Sequence, residues 1–219
     1  MEKKDFLNSC DAISVLHFPR WQELPEFELY MDQVIALIEK HLSALFPENK
    51  VPITPSMINN YVKSGALPPP KNKKYSREHL ALLLIICSTK SILEISSISD
   101  ILNQSISANN IEAVLDRFAE MYEGALATAA KKAKIAVSVS GSEPRNILSA
   151  IAIENALNAS ASRIVATYAY HMIAAKPDAD EAEQKNEKAE KKAEKAEKKA
   201  EKKAEKKAEK KEKNEETIA

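Results

Sequence analysis

Glycine, cysteine and tryptophan are scarce in this chain, at three, two and one residues among 219, and the scarcities are informative. No GxGxxG, Walker or GxSxG pattern occurs, so neither a backbone phosphate cradle nor a nucleophile elbow is expected. Cys10 and Cys87 stand far apart without CxxC or CxxH spacing, which supports neither a disulfide framework nor a zinc site. Cys87 sits inside LALLLIIC, residues 80–87, the longest apolar run and far too short to cross a bilayer. With no secretory signal ahead of it, a soluble cytoplasmic protein with no membrane partner is expected. The four histidines, at 17, 41, 79 and 171, are scattered without metal spacing, and Glu26, Glu28 and Asp32 have no nucleophile beside them. Catalysis, a metal and a cofactor are therefore not expected.

What is present is an uneven distribution of charge under a formal net charge of zero. Residues 1–49 carry Lys3, Lys4, Arg20 and Lys40 against a larger set of acids that includes Asp11, Glu23, Glu26, Glu28, Asp32 and Glu39. Residues 50–90 reverse the sign, with Lys50, Lys63, Lys71, Lys73, Lys74, Arg77 and Lys90 against Glu78 alone. An anionic partner is the natural reading of that window.

Periodicity places helices on either side of it. After a weakly patterned lead-in over 1–24, apolar residues from Phe27 through Tyr30, Val34, Ile38 and Leu42 to Leu45 predict one long helix over 26–46. Thr54 followed by Pro55 is an N-cap and first-turn pair, so a short helix starts there, and Gly65 ends it after Ser64. Pro68, Pro69 and Pro70 then force an extended path into Lys71–Tyr75, a two-stranded wing or a plain loop. Ser76 caps a helix whose run LALLLIIC reads as a buried turn set, with an apolar face of Leu80, Leu83, Leu84 and Cys87 and with Ile86 at its margin. Further helices are predicted over 95–104, 109–136 and 144–175, with a break at Gly141. The alanines of the last one suit close packing or a dimer face.

From about residue 177 the chain is a low-complexity Ala/Glu/Lys tail. Its strict four-residue period stacks Glu201, Glu205 and Glu209 on one line and Lys202, Lys206 and Lys210 on another, which opposes the helix its composition favours. A frayed, solvated spacer is expected, with an accessory anion-binding arm as the alternative.

The order of a capped helix, a glycine stop, a basic excursion and a Ser-capped apolar helix describes a winged helix-turn-helix, whose short helix enters the major groove while the wing touches phosphate. Ser56, Asn59, Asn60 and Lys63 would face DNA, asparagine being suited to adenine edges. Tyr61 is a candidate contact with a stronger claim to the core. Lys71, Lys73, Lys74 and Arg77 suit phosphates, and Tyr75 either packs on the helix or donates to a backbone oxygen.

TPSMINNYVKSGALPPPKNKKYSREHLALLLIICSTK, followed by SISDIL, resembles the DNA-binding domain of the mercury-resistance regulator (MerR) family over about residues 52–102. Asn59 and Asn60 stand where those regulators usually carry an arginine and an aromatic residue, and the Gly-Tyr-Arg stretch of their wing is missing. No cysteine ends a dimerisation helix, so metal sensing is not implied. LPEFELYMDQV, TPSMINNYVK and KKYSREHLALL together resemble the domain of unknown function 1836 family, mainly of Gram-positive bacteria, over about 21–175.

The resemblance implies an all-α fold with at most a short β-wing: a MerR-like winged helix-turn-helix over 25–104, a helical dimerisation or effector region over 105–176, and the tail over 177–219. The function implied is a bacterial transcription regulator on double-stranded DNA, a homodimer through the helices at 109–136 or 144–175. A helical protein-interaction adaptor that keeps the scaffold without DNA binding is the alternative, motivated by the acidic N-terminal segment and the alanine-rich last helix.

Overall fold

A computed structural model describes residues 3–46, 53–140 and 143–174. The described chain is mostly helical, with one two-stranded antiparallel sheet. In order it runs α1 (Lys3–Ser14), β1 (Leu29–Tyr30), α2 (Met31–Leu42), α3 (Pro55–Lys63), β2 (Lys74–Tyr75), α4 (Arg77–Thr89), α5 (Ile95–Ala108), α6 (Ile111–Val139) and α7 (Pro144–Ala174), with single 3-10 turns at Trp21–Glu23 and Ser43–Leu45. The chain divides into two units, Met1–Tyr170 and His171–Ala219. Of the second, only the final turn of α7 is described. Residues 47–52, the break at Gly141 and the low-complexity tail lie outside the described residues.

The core of the first unit is built around α4. Every residue from His79 to Cys87 is buried, so the expected one-sided apolar face is corrected to a helix enclosed all round. The reason is placement: α2, α5, α6 and β2 all pack on α4, leaving no solvated side. Burial pushes the Cys87 thiol up to about 11, which keeps it an inert core residue.

The long helix expected over 26–46 is also corrected. Glu26, Phe27 and Glu28 lie outside any helix, and Leu29–Tyr30 form β1, which pairs with β2 as Leu29 with Tyr75 and Tyr30 with Lys74. Helix α2 begins only at Met31, where the Gln33 side chain accepts from the Tyr30 N–H at 2.9 Å. Its Val34, Ile38 and Leu42 then bury one face, while Phe27 and Tyr30 stay exposed. Periodicity alone carried the prediction past the true start, because apolar residues at 27 and 30 fit a helical pattern without belonging to it.

The lead-in is more ordered than its weak pattern suggests. Helix α1 lies along α6, with the Asp11 carboxylate paired to the Lys134 ammonium. Behind it, Phe18 is fully buried, edge-on to Phe118 at 5.3 Å and to Tyr122 at 5.6 Å. The Glu123 carboxylate fixes that segment to α6: it accepts from the Phe18 N–H at 2.7 Å and from the Arg20 guanidinium at 2.7 and 3.0 Å. The Arg20 hydrogen bond holds the Glu123 carboxyl below the usual carboxylate range.

Candidate nucleic-acid interface

The residues that could meet a nucleic acid come from α3 and the turn before β2. Helix α3 starts where expected, with Thr54 Oγ1 accepting from the Met57 N–H at 3.2 Å and Pro55 at the first position. It ends at Gly65, whose φ of +79° is cheap only without a side chain. Ile58 and Tyr61 turn inward, and Ser56, Asn59, Asn60 and Lys63 remain exposed.

The basic excursion is a tight turn closed by the Lys74 N–H donating to the Lys71 carbonyl at 2.8 Å. Asn72 at φ +50° and Lys73 at φ +62° are its two central residues, the backbone signature of a type I′ hairpin turn. Asparagine tolerates that conformation, whereas lysine is uncommon in it. Lys71, Asn72 and Lys73 are exposed. Lys74 is half-buried, with its ammonium 5.3 Å from the centre of the Tyr30 ring. Asn72 is the residue that sequence reasoning passed over; an Asn between two lysines ahead of a strand was the available signal. The strand partner was missed as well, since β1 comes from 45 residues upstream, in a stretch with helical periodicity.

Three of the expected contacts do not belong to this surface. Tyr61 is buried, with its hydroxyl 3.4 Å from the Lys90 ammonium. Tyr75 is buried edge-on to His79 at 5.4 Å. Arg77 turns back to the N-terminal segment: its guanidinium pairs with Glu26 at 3.2 Å, donates to the Pro25 carbonyl at 3.3 Å and stacks 5.2 Å from the Trp21 ring. Burial agrees with the core reading of Tyr61 and the packing reading of Tyr75, and Arg77 ties the start of α4 to the N-terminal segment.

His79 performs that positioning most directly. The Ser76 N–H can only donate, so the Nδ1 it reaches at 3.0 Å must be unprotonated. Nε2 then carries the proton and donates to the Pro68 carbonyl at 3.1 Å. One imidazole thus joins the start of α4 to the chain leaving α3, which fixes the turn between them. Burial lowers its pKa below that of an ordinary histidine. Beneath the turn lies a cavity of about 530 Å³ that brings Glu26, Glu28 and Glu78 together with Lys71 and Arg77. Lys63 and Lys73 lie outside that lining and are exposed, whereas Lys71 shares it with the carboxylates.

Among the described residues no three His, Cys, Asp or Glu side chains converge as a metal site, and no helix is long and apolar enough to cross a membrane.

These features define a mostly helical protein with a two-stranded sheet and an exposed polar and basic helix-and-turn surface. Residues 19–125 match the family model described as Domain of unknown function (DUF1836), which supports that resemblance and ends it at residue 125, not 175. No curated protein and no solved structure matches the chain.

Proposed function

We propose that the chain is a transcription regulator that binds double-stranded DNA as a MerR-like winged helix-turn-helix. In this reading α3 enters the major groove and the turn at Lys71–Lys74 is the wing. The observation that carries it is Lys73. A lysine occupies a left-handed position where glycine costs less, and it is exposed beside Lys71 at the tip of a turn anchored by His79 and β1. A charge held there despite a conformational cost suits a fixed anion such as a phosphate.

The roles then divide by chemistry. Lys63, Lys71 and Lys73 take phosphates, and Lys74, partly held over Tyr30, supports them. Asn59 and Asn60 offer the paired donor and acceptor that match an adenine edge, and Ser56 adds a short hydroxyl contact. Selection of bound duplexes from a random library tests the division. Asn59→Ala and Asn60→Ala should each flatten the base preference at one position, by about 1–3 kcal/mol of discrimination. Lys73→Ala should weaken all sequences alike. Recovery of no duplex above background counts against the reading.

A further inference from the structure

The cavity beneath the basic turn is rich in charge, and a second one is not. It measures about 540 Å³ and opens between α4, α5 and α6, and nine of its thirteen described lining side chains are apolar. That volume falls within the roughly 300–1,000 Å³ of small-molecule sites, whose walls are mostly apolar with a few polar groups.

Burial gives the cavity a floor and a mouth. Ile85, Ile98 and Leu102 are buried, Ile101, Val114 and Phe118 are half-buried, and Arg117 and Met121 are exposed. The uncharged polar groups in its wall are already engaged. Thr89 Oγ1 donates to the Ile85 carbonyl at 2.7 Å, Ser105 Oγ to the Ile101 carbonyl at 2.8 Å, and Asn109 Nδ2 to the Ser105 carbonyl at 3.3 Å. With those protons spent inside the helices, the interior matches an apolar body. Phe118, the one aromatic among the described lining residues, already stacks on Tyr122 at 5.5 Å and meets Phe18 edge-on. The other apolar walls are aliphatic, which suits an alkyl chain better than a ring that needs a stacking partner.

The mouth supplies the polar end. Among the described residues that line the cavity, Arg117 is the one charged group. Its ion-pair partner Glu120 stands outside the lining at 3.6 Å, beyond hydrogen-bond distance, and both side chains are exposed. A guanidinium fork in that position complements a carboxylate. The geometry points to a binding site for a single-chain aliphatic carboxylate, with its alkyl chain between α4, α5 and α6 and its head group at Arg117. The site does not rest on DNA binding.

Calorimetric titration of the full chain with octanoate, decanoate and dodecanoate, without DNA, tests the assignment. Each methylene that enters the cavity should tighten binding by up to about fourfold, toward one equivalent of dodecanoate. Dodecanol should bind about two- to fivefold more weakly than dodecanoate, the increment of an exposed ion pair, and Arg117→Ala should erase that difference while keeping the chain-length trend. Ala113→Trp fills the cavity from an exposed position and should abolish saturable binding of dodecanoate. Absence of saturable dodecanoate binding by the wild type, affinity independent of chain length, a preference over dodecanol that survives Arg117→Ala, or undiminished binding by Ala113→Trp would overturn the assignment.

Discussion

Two apolar clusters hold the first unit, and they differ in kind. The one around α4 is closed by large side chains such as Phe18, Ile38, Leu83, Ile86 and Leu115, all fully buried. The one between α1, the later part of α6 and the start of α7 rests on Ala130, Ala133, Val137, Cys10 and Ile151, with Leu7 and Ile13 only partly covered. The family match at 19–125 stays almost wholly within the first. The difference teaches where specificity of fold resides: the region that positions α3 and the basic turn carries most of the burial, and the outer helices are an addition to it.

Substitution in each cluster should break the comparison first. Leu83→Ala is expected to cost about 2–5 kcal/mol, with loss of the cooperative transition as the observable. Ile151→Ala, in the smaller cluster, should fall at the low end of that range, about 2 kcal/mol, because a thinly packed site collapses more readily. Equal losses in chemical denaturation would mean that the two clusters are one cooperative core.

Next in size is the link between the Phe18 segment and α6. Glu123→Ala removes the acceptor for both the Phe18 amide and the Arg20 guanidinium and is expected to cost about 1–3 kcal/mol. A change within error would show that the aromatic packing of Phe18 is enough by itself.

The pH dependence sharpens the role of His79. Its neutral form is the one the fold binds, and burial lowers its pKa, as it does for His41. The unfolded chain therefore gains protons first as pH falls below about 6.5, the ordinary histidine value, and stability present above that pH is lost below it. Midpoints of denaturation should fall between pH 7.5 and 5.5. His79→Gln should lower stability throughout and flatten that fall; an unchanged slope would transfer the effect to His41.

The smallest expected effect separates stability from function at the basic turn. Lys73→Gly should raise stability by about 0.5–1 kcal/mol by relieving the positive φ, while weakening DNA binding. Gains in both would remove the reason given for a lysine there.

Local chemistry was legible in the sequence, and long-range placement was not. Thr54, Pro55 and Gly65 set the limits of α3 because caps and stops act within a few residues. The enclosure of α4 and the pairing of Leu29–Tyr30 with Lys74–Tyr75 depend on partners distant in the chain, which no local pattern encodes. The candidate surface was read in the same proportion. Ser56, Asn59, Asn60, Lys63, Lys71 and Lys73 are exposed as residue type suggested, whereas Tyr61, Tyr75 and Arg77 are held inward by neighbours that their own segment does not reveal.

Salt dependence of duplex binding tests the central claim most directly. With Lys63, Lys71 and Lys73 each neutralising one phosphate, the logarithm of the binding constant should fall with the logarithm of salt at a slope of about −3. Lys71→Ala with Lys73→Ala should reduce that slope by about 2 without disturbing the fold, because both side chains are exposed. Fluorescence anisotropy showing that slope and that reduction supports DNA recognition by α3 and the basic turn; binding that is absent, insensitive to salt or unchanged in the double variant contradicts it.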